Sequence, residues 1–256
     1  MKYKLLILDV DGTILPYKFH ALPSPRVTKA IKEASKKVTV AIATGRPYFM
    51  MTHIFRHLAM DGLAIINDGA QVIDIKTKRV LYKRAIEKRA FIRVIGVLKN
   101  EGVSFMVHDQ EVDIPYTEEY IPVEPLNLYT LNRMDEALAD KLVEKISKVP
   151  NIKVNKTHWG DGATSDSYDL LISHAEATKL HGIYQVAKIK KIETEEIIGV
   201  GDSGNDFPLL MASGFKVAMG NAIPDLKAIA DYVAPSVYDD GAAHVIDKFI
   251  LEKKIA

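Results

Sequence analysis

The chain has no cysteine. That excludes a disulfide framework, thiol catalysis and thiolate-bound zinc, and it suits a reducing compartment. An excess of one charge is also missing: 34 Lys and Arg stand against 33 Asp and Glu. No overall basic field therefore draws in nucleic acid or an anionic membrane. Long apolar runs are absent too. The first, beginning at Leu5, is cut short by Asp9, and none approaches the roughly 18 residues of a membrane span. No repeat or low-complexity tract interrupts the sequence. These absences predict a cytoplasmic protein with a small molecule as its partner; a monomer or weak homodimer is expected, though nothing in the sequence sets the oligomeric state.

The chain is rich in apolar residues, 48% of its 256, enough for a substantial core and for two modest domains. Leu5 to Leu8 reads as a strand buried on both faces. Ser24 and Pro25 then supply an N-cap and first-turn proline to a helix with Val27, Ala30, Ile31 and Ala34 on one face. Val38 to Ala43 predicts a second buried strand, a helix follows from near Pro47, Leu63 to Ile66 predicts a third strand, and residues 71–84 a hairpin. Such alternation predicts a parallel sheet covered by helices. The pattern then changes. Phe91, Val94, Ile95 and Leu98 form a helical stripe closed by Gly102, and Leu138, Leu142 and Ile146 mark another. Strand-like stretches at 103–108, 126–131 and 168–173 surround them, the first two separated by a region holding Pro115, Pro122 and Pro125. From Ala175 the buried alternation returns. The expectation is an α/β fold: a doubly wound, mainly parallel, Rossmann-like core of residues 1–84 and 174–256, with an α+β domain of residues 85–173 inserted in it.

Polar residues gather where these strands end. The first ends in Asp9, Val10, Asp11, Gly12 and Thr13, the second in Thr44, Gly45 and Arg46, and a late one in GDSGND, Gly201 to Asp206. In open parallel sheets the carboxyl ends of the strands form the ligand crevice. Carboxylates crowded there repel one another, and burial disfavours their charge, so a hard cation is expected among them. An oxygen donor set without thiolate favours Mg²⁺, which commonly binds alongside a substrate phosphate. His53 and His57 have the i, i+4 spacing of a zinc pair, but Ile54 stands where a metalloprotease would carry its glutamate, and they are expected on a helix surface. His158 and Trp159, before Gly160, Asp161 and Gly162, are expected in a loop of the inserted domain.

DVDGTIL, ATGR, Lys179 preceded by Thr178, and GDSGND follow one another along the chain. In that order they resemble the four motifs of the haloacid dehalogenase superfamily of phosphatases. The long gap between Arg46 and Lys179 is similar to the Cof-type, or IIB, branch, which carries a large α/β cap there, and MGNA (Met219 to Ala222) and Asp231 to Val233 also look like that branch. The resemblance implies a Mg²⁺-dependent phosphatase acting on a small phosphorylated metabolite such as a sugar phosphate, through an aspartyl phosphate. Asp9 would be the nucleophile and Asp11 the proton shuttle. Thr44 and Lys179 would bind the phosphoryl charge. Gly45, Arg46 and Asn205 would meet the substrate. The metal would be held by Asp9, the backbone carbonyl of Asp11, Asp202 and Asp206, the last either through a water or while orienting Lys179. A sugar phosphomutase, or a regulatory module switched by phosphorylation of Asp9, would use the same nucleophile. Two positions depart from the branch: Leu180 replaces the glycine that generally follows the lysine, and Asp68, in INDGA (Ile66 to Ala70), replaces an asparagine. Asp68 is read as a turn residue without a role.

Overall fold

The computed structural model describes residues 2–17, 21–131, 134–158 and 167–252. In chain order the elements are β1 (Leu5–Leu8), α1 (Pro25–Ala34), β2 (Thr39–Ala43), α2 (Tyr48–Leu58), β3 (Leu63–Ile66), β4 (Gln71–Asp74), β5 (Val80–Lys83) and α3 (Lys88–Asn100). There follow β6 (Phe105–Asp109), β7 (Val112–Pro115), β8 (Pro125–Thr130), α4 (Glu136–Ile146), β9 (Ile152–His158) and β10 (Tyr168–His174). The chain finishes with α5 (Lys179–Lys190), β11 (Ile197–Gly201), α6 (Phe207–Met211), β12 (Phe215–Ala218), α7 (Pro224–Ala228), β13 (Tyr232–Val233) and α8 (Gly241–Phe249). They divide into two compact units, one of residues 1–83 and 178–256, the other of residues 84–177.

The first unit is built on an eight-stranded sheet in the order β13-β12-β11-β1-β2-β3-β4-β5. Pairing is parallel from β13 to β3, and antiparallel between β3 and β4 and between β4 and β5. β1 and β11 are fully buried along their length, as strands covered by helices on both faces must be. The helices that cover the sheet are amphipathic for the reasons legible in their spacing. In α1 the buried residues are Val27, Ala30, Ile31 and Ala34, and Ser24 caps its start by accepting from the Val27 amide. α1 packs with α2 and α8, while α5 packs with α6. The chain winds from β1 toward β2 and β3 on one side and returns through β11 to β12 on the other. The switch point, where ligands of doubly wound sheets bind, therefore lies at β1 and β11.

The second unit has its own core. Its five-stranded antiparallel sheet has the order β7-β6-β8-β10-β9, and Phe91, Val94 and Leu98 of α3 and Leu142 and Ile146 of α4 bury with Val107, Leu128, Leu170 and Ile172 of the strands. Two strands here carry little sequence signal. β7 falls within the proline-bearing region. It ends at Pro115 on the sheet's edge, where a missing N–H costs no ladder bond, and its turn with β6 is made by Gln110 and Glu111, both at positive φ, without the usual Asn or Gly. β9 reads IKVNKTH. His158, expected in a loop, is instead the last residue of β9, paired with Tyr168. Trp159, Gly160, Asp161 and Gly162 lie outside the described residues. Among the described residues no helix is long and apolar enough to cross a membrane.

Candidate active site

Strand register brings the polar ends together. Leu8 of β1 is level with Val200 of β11 and with Ile42 of β2, so Asp9, Asp202 and Thr44 emerge side by side at the carboxyl edge of the sheet. All three are buried. Lys179, the first residue of α5 after the N-cap Thr178, reaches the same place. It is 0% exposed, and its Nζ donates to Asp9 Oδ1 and to Asp206 Oδ1, each at 2.6 Å. A cation at a helix N-terminus meets an unfavourable dipole, which these carboxylates outweigh. Burial works against the Lys179 charge, but Asp206 and Asp9 together hold its ammonium above the ordinary lysine range. The approach of α5 depends on Gly69. That residue has φ +98, and a Cβ there would lie 2.0 Å from the carbonyl oxygen of Thr178.

Asp206 uses both oxygens. While Oδ1 takes Lys179, Oδ2 accepts from the amides of Asp202 at 2.9 Å and Ser203 at 3.0 Å, so it orients the lysine from a rigid turn. Asp202 is held by residues that sequence reasoning left without a role. The Tyr17 hydroxyl donates to its Oδ2, the Asn221 amide donates to the same atom at 3.3 Å, and Thr13 Oγ1 stands 3.5 Å from Oδ1. Asn221 lies within the MGNA run, which marks its place in the sequence. Tyr17 has no such mark.

Arg46 turns to Asp11, donating through Nε to Oδ2 at 2.8 Å and through its terminal nitrogen to Oδ1, the planar fork that suits a carboxylate. Asp11 thus faces Arg46, apart from the cluster of the other aspartates. Thr44 Oγ1 accepts from the Arg46 amide at 3.1 Å, Gly45 is exposed, and Asn205 donates to Asp68 Oδ1 at 3.3 Å. Asp68 does sit in a turn, at φ 55. It is also buried and its charge helps to hold the Lys179 ammonium, so it belongs to the site as well. His53 and His57 lie on α2, both half-buried, and His57 Nε2 is 3.0 Å from Thr28 Oγ1.

The donor set fits a divalent cation. Asp9, Asp202 and Asp206 offer oxygens all within 4.8 Å of one another, and a single ammonium, Lys179, leaves two of their three negative charges uncompensated. Burial pushes Asp9 well above the usual carboxylate range, with Asp206 adding to the effect and Lys179 opposing it. Burial likewise pushes Asp202 up to about 7, against the Tyr17 hydrogen bond and despite Lys179. Buried like charges in this state are what a hard cation with oxygen ligands relieves.

The family model described as haloacid dehalogenase-like hydrolase matches the chain over residues 6–157 and 114–246. The phosphatase YwpJ of Bacillus subtilis is 26% identical over 283 residues, covering 95% of this chain and 98% of its own. The 5-amino-6-(5-phospho-D-ribitylamino)uracil phosphatase YbjI of Escherichia coli is 24% identical over 275 residues, covering 98% of this chain and 97% of its own. Among solved structures, the haloacid dehalogenase subclass IIB sugar phosphatase BT4131 superposes with a TM-score of 0.77 at 23% identity, over 96% of this chain and 98% of that one.

Proposed function

We propose, since this chain belongs to the haloacid dehalogenase-like hydrolases and is a phosphatase of that superfamily, that it is a Mg²⁺-dependent enzyme hydrolysing a small sugar phosphate through an aspartyl phosphate on Asp9. The observation that carries this reading is the buried Lys179 bridging Asp9 and Asp206 at 2.6 Å each, with Asp202 beside them. Asp9 attacks phosphorus and forms an acyl phosphate as the substrate's alkoxide leaves, so that one difficult hydrolysis becomes two displacements. Asp11 protonates the departing oxygen and then takes a proton from the water that attacks the acyl phosphate, a contribution of about 10² to 10⁴ in rate. Arg46 holds Asp11 as a carboxylate by its fork and turns from it to the substrate when Asp11 takes up the proton it then donates. Thr44, Lys179, Asn205 and the backbone at Gly45 meet the phosphoryl oxygens, Lys179 as a preorganised positive charge. Asp9, Asp202 and the carbonyl of Asp11 would hold the metal, with Asp206 holding a metal-bound water or orienting Lys179. When bound, Mg²⁺ supplies Lewis-acid charge stabilisation at the phosphoryl group. Residues 84–177 serve as the cap that selects the leaving group. The names of YbjI and BT4131, a phosphoribityl and a sugar phosphatase, support sugar phosphates as the substrate class.

The test is a phosphate-release screen over phosphorylated sugars and sugar alcohols, nucleotides and glycolate-like acids, each with Mg²⁺ and with EDTA. The reading predicts release from a subset of the sugar phosphates, abolished by EDTA and restored by Mg²⁺. An isomerised sugar phosphate in place of inorganic phosphate would make the enzyme a mutase. A stable phosphoprotein without turnover would make it a switch.

A further inference from the structure

Asp202 is 2% exposed, yet its carboxylate is reached by a side chain that is 60% exposed, that of Tyr17. Tyr17 follows the tight turn after β1, in which Leu15 carbonyl oxygen accepts from the Gly12 amide at 2.7 Å. Its ring lies against Gly12: a Cβ there would be 2.7 Å from Tyr17 Cε2. From this position the hydroxyl donates to Asp202 Oδ2.

A second donor meets the same oxygen. Asn221 Oδ1 accepts from the Val237 amide at 2.8 Å, which fixes which way the amide faces, and Nδ2 then donates to the Gly12 carbonyl at 2.8 Å and to Asp202 Oδ2 at 3.3 Å. Asp202 Oδ1 has the long Thr13 contact of 3.5 Å. Two donors on one oxygen set the plane of the carboxylate and leave the other oxygen the less engaged of the pair.

We propose that Tyr17 is a positioning residue for a metal ligand: with Asn221 it holds Asp202 so that Oδ1 is presented to a divalent cation as a one-oxygen ligand. The inference rests on the reading of this site as a Mg²⁺ centre and adds to it a residue from outside the motifs. Ordering a ligand before the cation arrives raises affinity, and removing such outer partners typically weakens metal binding by 10- to 100-fold.

The experiment is calorimetric titration of Mg²⁺ into the protein without substrate, for the wild type and for Tyr17→Phe, with phosphate release measured against Mg²⁺ concentration for both. The Phe variant keeps the ring against Gly12 and removes only the donor. We expect its Mg²⁺ dissociation constant to rise by about 10- to 100-fold, its melting temperature in EDTA to match the wild type, and its lost turnover to return as Mg²⁺ is raised. Equal Mg²⁺ affinity in the two proteins overturns the assignment. Tighter binding by the variant overturns it too, because the hydroxyl would then be a competitor for the oxygen that the cation needs. A turnover defect that no Mg²⁺ concentration repairs also counts against it. A wild type that takes up no Mg²⁺ brings down the metal-centre reading itself, an outcome separate from the first three.

Discussion

Lys179 keeps a full charge without access to water because Asp9 and Asp206 both accept hydrogen bonds from it, and most of the site's other features follow from keeping those carboxylates close. Gly12 shows how little room is left. Its φ is +80, and a Cβ there would fall 2.2 Å from Asp202 Oδ2, so any side chain both strains the turn and pushes the ligand aside. Gly12→Ala should raise the Mg²⁺ concentration needed for half-maximal phosphate release by roughly tenfold or more. A variant with the wild-type requirement would separate Gly12 from the metal site. Asp68 offers a finer test. Its Oδ1 receives the Asn205 amide, so Asp68→Ala should raise KM by about 2- to 10-fold, the worth of one net hydrogen bond. Asp68→Asn, which keeps an acceptor oxygen, should lose less. Steady-state kinetics on both variants would show it, and an equal loss in the two would point to the charge of Asp68 in place of its hydrogen bond.

At the scale of elements, α8 closes the first unit through His244, whose ring stacks on Tyr232 of β13 and shares a 2.9 Å hydrogen bond with its hydroxyl. Burial, followed by the cations Lys248 and Arg26, lowers His244 below its ordinary value of 6.5. The unfolded chain therefore takes up a proton at a higher pH than the folded one. Stability is fully present above about pH 6.5 and is lost as pH falls from there through the lowered folded value. His244→Gln should remove this slope: between pH 8 and pH 5 the wild type should lose more in melting temperature than the variant. Parallel slopes would mean that His244 does not titrate differently in the two states. Strands and helices such as β1, β2 and α1 were legible in the sequence because unbroken apolar runs and helical spacing are local signals. β7 was not, since Pro115 and the turn at Gln110 and Glu111 lack the usual hairpin chemistry. The same distinction explains the site. Asp9, Asp202 and Thr44 stand at strand ends that announce themselves, whereas Tyr17 finds Asp202 across 185 residues, and nothing local to PYKF marks it.

For the whole molecule, the two units each own a hydrophobic core, and every residue to which we give a part in the chemistry belongs to the first. If residues 84–177 select the leaving group as proposed, replacing them by a short linker should leave a protein that still hydrolyses small activated phosphates weakly, while discrimination among sugar phosphates collapses. A folded product that keeps the original substrate ranking would place specificity in the first unit. The central claim is that this chain transfers phosphate through Asp9, and it is tested most directly by Asp9→Asn, which removes the attacking oxygen at nearly constant volume. Circular dichroism and phosphate release on one preparation should show an unchanged fold and a loss of at least about a thousandfold in turnover. A folded Asp9→Asn protein that releases phosphate at a rate near the wild type would contradict the account.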